Sequence, residues 1–269
     1  MIKQIYELES YSDFIEELKT DPNYSDPHYI YAPDTLLKVF ERNDRNVYAV
    51  FEKNAVIGLF VILVLPADQY LEMLIGYARE EQAYRELLTF VKQEYPEYKM
   101  DFVFNPGNEA IRNVLKEYDA HFDTEQMRMI AETPSEYRRK HHVEMLTDQY
   151  IEQYRSMHIQ DTYWTADKVL LAKDRFKVFV ALSDDKVIGF IDVTYCYDEN
   201  EPYDIEVDDS YHGEGVEADL LSYALEQNKP KSMMVLVDVD QKEEIEIYEK
   251  VGFKAILGQN SITATISKL

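Results

Sequence analysis

Apolar and polar positions alternate in a pattern that occurs twice along the chain. An apolar stretch, a four-residue polar turn and a longer apolar stretch that opens with Val-Ile-Gly begin at Val47 and again at Val178. Apolar runs of this length on either side of a short polar turn are typical of β-hairpins. Because the two segments align without a gap, the pattern predicts an internal duplication built around a repeated hairpin.

The elements after each hairpin keep nearly the same spacing. A third apolar stretch, an amphipathic helix and a further strand follow in both halves, and Leu87-Leu88 in the first half matches Leu220-Leu221 in the second. Another helix and short extended segments close each half, and an amphipathic stretch opens it. Each half therefore predicts the order β-α-α-β-β-β-α-β-α-β-β.

This order predicts an α/β fold with α+β-like layers, in which two tandem domains each carry a mixed, mostly antiparallel sheet flanked by helices. The polar run from 132 to 142 holds the only basic cluster of the sequence and marks the linker. We therefore predict one domain at 1–136 and a second at 137–269.

Composition narrows the function classes. The 269 residues include 52 Asp and Glu against 28 Lys and Arg, a net charge of −24, whereas binding to nucleic acid or an anionic membrane needs a basic surface. The single cysteine, Cys196, cannot form an internal disulfide, and the longest apolar run, Val56 to Leu65, is half the length of a membrane span. No segment of signal-peptide type opens the sequence, and the six histidines show no metal-ligand spacing. We therefore expect a cytoplasmic protein with no nucleic-acid, membrane or metal partner.

Glycines are few, and one pair of them marks a candidate binding loop. Of eight glycines, Gly213 and Gly215 form the only Gly-x-Gly pair, between a predicted strand and a predicted helix. At such a junction backbone N–H groups converge and the helix dipole favours an anion. The pair therefore predicts a phosphate cradle, with an ordinary glycine turn as the alternative interpretation.

Two sequence blocks in the second half resemble those of a known family. The first block is the glycine loop, and the second ends in Tyr-Glu-Lys-Val-Gly-Phe, residues 248 to 253. Together with the Val-Ile-Gly hairpin before them, these blocks resemble the GNAT superfamily of acyl-CoA N-acyltransferases. The matching positions are Val207, Tyr211, Gly215, Leu220, Leu221, Tyr248, Lys250, Gly252 and Phe253. The resemblance covers most of residues 143–269 and reaches 1–131 more faintly through the repeat, which implies two tandem GNAT-like domains with a degenerate first copy.

The resemblance implies an N-acetyltransferase that moves an acetyl group from acetyl-CoA to a primary amine on a small molecule or peptide. It implies that acyl-CoA lies in a gap between the fourth and fifth strands of the domain, with its pyrophosphate on the loop amides. The implied cofactor-binding residues are Val207, His212, Gly213, Glu214, Gly215, Val216, Glu217 and Gln241. Tyr248 is implied as the acid that protonates the leaving thiolate. The candidate bases are Glu201, Asp204 and Glu206, and strand alternation separates Glu201 from the other two without choosing between them.

Several positions depart from the family pattern. Glu217 replaces a Gly or Ala of the loop, in the helix turn whose dipole would hold a phosphate. No Lys or Arg occurs between Lys186 and Lys229, against twelve acidic residues, and each close carboxylate costs roughly 1 kcal/mol for a bound pyrophosphate. These departures favour an alternative function, a non-catalytic GNAT-fold module for binding or sensing that has lost acyl-CoA binding. The block around Tyr248 favours the enzyme.

The acidic residues from Asp198 to Glu217 also have two interpretations. They could attract a cationic acceptor by electrostatic steering, or they could form a solvated acidic surface. The first half departs further from the family, because its loop has no glycine after Gly76 and Leu115 stands in the place of the tyrosine. We therefore interpret the first half as a structural or substrate-shaping copy.

Overall fold

The computed structural model describes residues 1–133, 135–159 and 163–269. Pro134, which belongs to the predicted linker, lies outside the described residues. The chain forms two compact units, here called unit 1 and unit 2. Unit 1 contains Met1–Met127 together with Leu257–Leu269, and unit 2 contains Arg128–Ile256.

Strands and helices follow the predicted order, except that the first half has a third helix between its first two strands and the second half has one additional two-residue strand. The strands of the described residues are β1 (Ile2–Ile5), β2 (Arg45–Glu52), β3 (Ala55–Leu65), β4 (Tyr70–Ala78), β5 (Lys99–Phe104), β6 (His121–Phe122), β7 (Gln126–Ala131), β8 (His142–Met145), β9 (Phe176–Ser183), β10 (Lys186–Thr194), β11 (Glu199–Asn200), β12 (Pro202–Val207), β13 (Ser232–Asp238), β14 (Lys254–Ala255) and β15 (Ile262–Ile266). The helices are α1 (Ser12–Lys19), α2 (Pro27–Tyr31), α3 (Asp34–Leu37), α4 (Glu81–Glu94), α5 (Glu109–Glu117), α6 (Ile151–Met157), α7 (Ala166–Leu171), α8 (Val216–Asn228) and α9 (Lys242–Val251). The predicted fold class, mostly antiparallel sheets flanked by helices, is confirmed.

Unit 1 is a seven-stranded sheet with helices packed on both faces. Its strands run in the order β1-β2-β3-β4-β5-β15-β6, and neighbouring strands are antiparallel except for β4 and β5. Side chains of a strand alternate between faces. Phe60 of β3 therefore packs in the apolar cluster of α4 and α5, and its neighbour Leu59 packs in the cluster of α1 and α3.

The two units exchange their last strands along the sequence. β15, from the C-terminal part of the chain, lies between β5 and β6 in unit 1, with Ile262 opposite Phe104 and Ile266 opposite Met100. β7, from the middle of the chain, lies between β13 and β14 in unit 2. A division of the sequence at 136/137 does not anticipate this exchange, because an apolar pattern marks a strand without naming its partner.

Unit 2 contains two four-stranded sheets. One runs in the order β12-β10-β9-β8, and the other runs in the order β11-β13-β7-β14. β12 and β13 are joined by α8 and belong to different sheets, so β12 ends its sheet with an open edge toward a gap. No helix in the described parts of either unit has the length and apolarity of a membrane span.

Candidate functional site

A cavity of about 330 Å³ lies where β12 meets the N-terminal ends of α8 and α9. Its lining residues are Ile205, Glu217, Leu221, Gln241, Glu243, Glu244, Ile247 and Tyr248. Three of the predicted site residues, Glu217, Gln241 and Tyr248, are therefore brought together from two separate sequence blocks. The cavity lies beside the gap between the two sheets of unit 2.

The glycine loop turns from β12 into α8 with a backbone that only glycine adopts readily. Gly213 has φ +79° and Gly215 has φ +94°, both in the left-handed region. Gly215 is the residue before the helix, and no side chain caps the first turn of the 13-residue α8. The first amides of a helix have no partner within the helix, so they point toward the loop. This geometry fits a phosphate cradle.

Two carboxylates lie close to His212, the histidine of that loop. The Nδ1 atom of His212 lies 3.8 Å from Glu217 Oε1, and its Nε2 atom lies 3.5 Å from Asp209 Oδ1. Glu214 is exposed, whereas the side chains of Val207 and Val216 are buried in the protein. These two valines can therefore contribute to a ligand only through their backbone.

The buried carboxylate of Asp219, in the first turn of α8, forms hydrogen bonds to the segment predicted as the linker. Asp219 is fully buried and accepts hydrogen bonds from the Tyr137 hydroxyl at 2.8 Å and from the backbone amides of Lys140 and His141 at 3.1 and 2.8 Å. In addition, His141 Nδ1 lies 2.7 Å from Oδ2 of the same carboxylate. The tyrosine hydroxyl also lies 3.6 Å from where a Cβ atom on Gly215 would sit. The basic run thus packs against the glycine loop as part of unit 2.

Tyr248 lines the cavity with its hydroxyl group already engaged. The side chain is buried, and the hydroxyl donates to Glu244 Oε1 at 3.0 Å. Burial raises the pKa of Tyr248 above its ordinary value, and the charge of Glu244 raises it further. Gln241 precedes α9 and its side chain makes no cap hydrogen bond to that helix. Tyr248 is therefore a protonated phenol at neutral pH.

The three candidate bases have different surroundings. Asp204 and Glu206 lie on one face of β12, and Ile205 between them faces the cavity. Burial raises the pKa of all three carboxyl groups, including that of Glu201. The charged neighbour of Glu201 is Glu199, whereas Asp204 and Glu206 share a histidine neighbour, His158. The structure thus groups Asp204 with Glu206 and leaves Glu201 apart.

Sequence reasoning missed three residues behind β12. Asp192 of β10 is directly opposite Asp204 in the strand register and is fully buried. The Tyr154 hydroxyl donates to both Asp192 oxygens at 2.9 and 3.1 Å, and His158 Nε2 lies 3.1 Å from Asp192 Oδ2. One signal was available: Asp192 is the only charged residue inside an otherwise apolar strand, Val187–Val193. A lone carboxylate in a buried strand needs a partner.

In unit 1 the corresponding gap lies between β4 and β5, and the loop that ends at Asp26 crosses it. β4 and β5 pair from Tyr70 to Met73 and then separate. Past that point the backbone amide of Gly76 donates to Asp26 Oδ2 at 2.8 Å, in a loop whose Asp26 side chain is buried. The protein around Asp26 desolvates its carboxyl group, and this burial raises the pKa of Asp26 to about 6. The loop between α1 and α2 thus stands where unit 2 has an open strand edge.

The comparisons with known proteins bear on unit 2 first. Residues 174–255, which include the glycine loop, the cavity and Asp192 of the buried cluster, match the family model for the acetyltransferase (GNAT) domain. The match supports the GNAT superfamily for this part of the chain. GNAT proteins generally use acyl-CoA, so the family supports acyl transfer as the general chemistry of unit 2. A search of curated proteins finds no significant match.

Solved structures extend the similarity of fold beyond the GNAT domain. An acetyltransferase of the GNAT family from Colwellia psychrerythraea matches with a TM-score of 0.56 and 14% identity over 98% of each chain. A GCN5-related N-acetyltransferase from Sphaerobacter thermophilus matches with a TM-score of 0.65 and 9% identity over 98% of this chain and 94% of its own. A tandem GNAT protein from the clavulanic acid biosynthesis pathway matches with a TM-score of 0.51 and 11% identity over 82% of each chain. At these identities the likeness concerns the fold alone.

Proposed function

We propose that unit 2 transfers an acetyl group from acetyl-CoA to a primary amine. The observation that carries the proposal is the cavity of about 330 Å³, which joins a glycine-dependent loop, the open edge of β12 and the Tyr248 hydroxyl. A pocket with convergent polar groups beside an unpaired strand edge suits a ligand that is part phosphate and part extended chain. Fold alone does not decide function, so the proposal rests on this site.

The residues present fit such a ligand through their backbone. Amides from Gly213 to Glu217 would hold its phosphates, and the open edge of β12 would hold its extended arm. When bound, acetyl-CoA supplies the activated acetyl thioester. Gln241 and the rest of the cavity wall would bound the sulfur end.

Proton transfers fall to residues on either side of β12. Asp204 and Glu206 have raised pKa values caused by burial, which suits carboxylates that accept a proton from an amine near neutral pH. Tyr248 holds a proton for the leaving sulfur. Positioning of the amine supplies the rest of the rate enhancement.

The acidic face of unit 2 suits a cationic acceptor. Beyond the effect of burial, the charges of Asp204 and Asp209 raise the pKa of Glu206, and a primary ammonium would neutralise part of this negative charge. We propose that the protein acts in the cytoplasm on a small-molecule or peptide amine, without nucleic acid or membrane.

Calorimetric titration of acetyl-CoA into the full-length protein tests the proposal. We expect binding that weakens with salt, and a loss of at least tenfold in Gly215→Val, because a β-branched residue at φ +94° distorts the cradle. Gly258→Val is the matched control, since Gly258 also has a left-handed φ of +76° but belongs to unit 1. We expect this variant to bind normally.

The cavity's own carboxylates favour the second candidate function, a non-catalytic binding or sensing module. Glu217, Glu243 and Glu244 all line the cavity, and each repels an anionic ligand. An absence of binding at millimolar acetyl-CoA would contradict the transferase and support the module.

Removal of a cavity carboxylate should strengthen acetyl-CoA binding. We expect Glu217→Gln and Glu244→Ala each to raise affinity about fivefold at low salt, because a close carboxylate costs roughly 1 kcal/mol of repulsion. The same charge change in Glu249→Gln, on α9 but outside the cavity, should leave affinity within twofold. Equal gains in all three variants would instead indicate a general effect of net charge.

A further inference from the structure

His158 lies in a buried cluster on the side of β12 opposite the cavity. Its imidazole is fully buried just after α6, and its Nδ1 atom is 2.9 Å from the carbonyl oxygen of Ile159. Its Nε2 atom is 3.1 Å from Asp192 Oδ2 and 3.6 Å from Asp204 Oδ2. A carbonyl oxygen only accepts hydrogen bonds, so Nδ1 carries a hydrogen and Nε2 is the atom that faces the two carboxylates.

This arrangement requires a proton among the three groups. Without one, the Nε2 lone pair and two carboxylates would face each other in a buried space, at a high cost in free energy. Tyr154 donates to both oxygens of Asp192 and so stabilises only that end of the cluster. At least one proton is therefore shared among His158, Asp192 and Asp204.

The directions of the pKa shifts agree with this count. Burial, the largest single effect, lowers the pKa of His158, but the hydrogen bonds to Asp192 and Ile159 and the charges of Asp192 and Asp204 together outweigh it, and the net shift is upward. Burial raises the pKa of both Asp192 and Asp204, against the opposing charge of His158. All three shifts favour the protonated forms.

Asp204 is the member of the cluster that reaches solvent. Its side chain is 17% exposed, whereas those of His158 and Asp192 are fully buried. Its Oδ2 atom is buried and accepts no hydrogen bond from the described residues. Its partly buried neighbour on the same strand face is Glu206, and the charge of His212 acts on Glu206 from the loop side. A donor that comes from solvent would therefore meet Asp204 first.

We propose that His158 and Asp192 are positioning residues that act through Asp204 in taking a proton from a cationic acceptor amine. The inference rests on the proposed function and adds the proton acceptor and the charge of the substrate. Held next to Asp204, the imidazolium keeps that carboxylate ionised, while Asp192 and Tyr154 keep the imidazole in place. The amine then docks as an ammonium against Asp204 and Glu206.

The proton balance is complete without a further reactant. An ammonium nitrogen that becomes an amide loses two hydrogens as its C–N bond forms and the C–S bond breaks. One hydrogen ends on the leaving sulfur. The other passes to Asp204, is shared with His158 and Asp192, and leaves to solvent after the product departs.

The pH dependence of kcat/KM for the amine tests the role of His158. In His158→Gln no neighbouring cation offsets the effect of burial on the Asp204 carboxyl. The pKa of Asp204 therefore rises. We expect the acidic limb of the profile to move up by at least one pH unit, with at least a tenfold loss at pH 7 that largely recovers by pH 9. The KM for acetyl-CoA should not change. In the control His142→Gln, a change at an exposed histidine of β8, the profile should match that of the unsubstituted protein.

A readout without turnover comes from NMR titration of the histidine nitrogens in the ¹⁵N-labelled full-length protein. The His158 signals are assigned by their loss in His158→Gln. We expect the pKa of His158 to lie above the ordinary histidine value, and to fall in the isosteric variant Asp192→Asn, which removes a neighbouring carboxylate. A His158 pKa at or below the ordinary histidine value, or one unchanged by Asp192→Asn, would overturn the inference.

Two further results would also decide against it. A rate reduced by the same factor at every pH in His158→Gln would mean that the histidine has only a structural role. A stoichiometric divalent metal ion in the purified protein, with activity lost on chelation, would replace the shared proton by a metal. Absence of turnover in the unsubstituted protein would overturn the proposed function, whereas turnover with an unshifted profile would overturn this inference alone.

Discussion

Removal of residues 257–269 is expected to unfold unit 1 and leave unit 2 folded. β15 lies inside the sheet of unit 1, where it pairs with β5 over five residues and with β6 on its other side. Its side chains Ile262, Ala264 and Ile266, with Leu269 beyond them, are buried in the core shared with α4 and α5. Deletion of one large apolar core side chain costs roughly 2–5 kcal/mol, and a domain is stable by only about 5–15 kcal/mol. The loss therefore exceeds what unit 1 can sustain.

Hydrogen exchange of a chain that ends at residue 256 measures this effect unit by unit. Amides of β2, β3 and β4 should lose protection, whereas those of β9 and β10 should keep it. A shortened chain in which a short flexible linker connects residue 127 to residue 257 should fold. Its two ends are already close, because Gln126 and Ser261 form a β-bridge. Full protection of unit 1 in the truncated chain would contradict the importance of the exchanged strand.

Replacement of Asp219 by alanine should destabilise unit 2 by roughly 3 kcal/mol. Asp219 has no exposure to solvent, and its carboxylate accepts hydrogen bonds from the segment that holds Tyr137, Lys140 and His141. Loss of the carboxylate leaves buried donors unsatisfied, which costs about 1–3 kcal/mol for each neutral group and more for charged ones. Tyr137→Phe removes one of these hydrogen bonds and should cost about 1 kcal/mol.

Urea unfolding followed by tryptophan fluorescence suits this test, because the only tryptophan, Trp164, lies in unit 2 and packs on Phe176. Asp209→Ala is the matched control: this acidic residue is nearby in sequence and its side chain is fully exposed. We expect its unfolding midpoint to match that of the unsubstituted protein. An Asp219→Ala variant as stable as the control would show that the linker segment does not contribute to the stability of unit 2.

The local patterns in the sequence predicted most of the elements and named the residues of the glycine loop and of α9 as a candidate site. The hairpins, the glycine loop and the packed face of α9 each depend on neighbours within one or two turns, so periodicity and turn chemistry find them. This is why Gly215, Gln241 and Tyr248 could be proposed as one site before their positions in space were known.

Features that depend on distant partners could not be predicted in the same way. The residues of β15 have the pattern of an ordinary strand. No nearby residue indicates that this strand pairs with β5, some 160 residues earlier in the chain. The cluster of His158 and Asp192 joins a helix end to a strand centre. The Asp26 contact with Gly76 likewise joins a loop to a strand edge in the half that the motif comparison set aside. In the last two cases the decisive energy is burial of a polar group, which sequence spacing does not encode.

The exchange of strands also sets an order of events during synthesis. The sheet of unit 1 lacks the strand between β5 and β6 until residue 266 has left the ribosome. At about 5–20 residues per second, synthesis of the residues between 127 and 266 takes roughly 7–28 s. During that time β5 presents an unpaired apolar edge, the kind of surface that pairs with other chains. The N-terminal half of this protein is therefore made first and completed last.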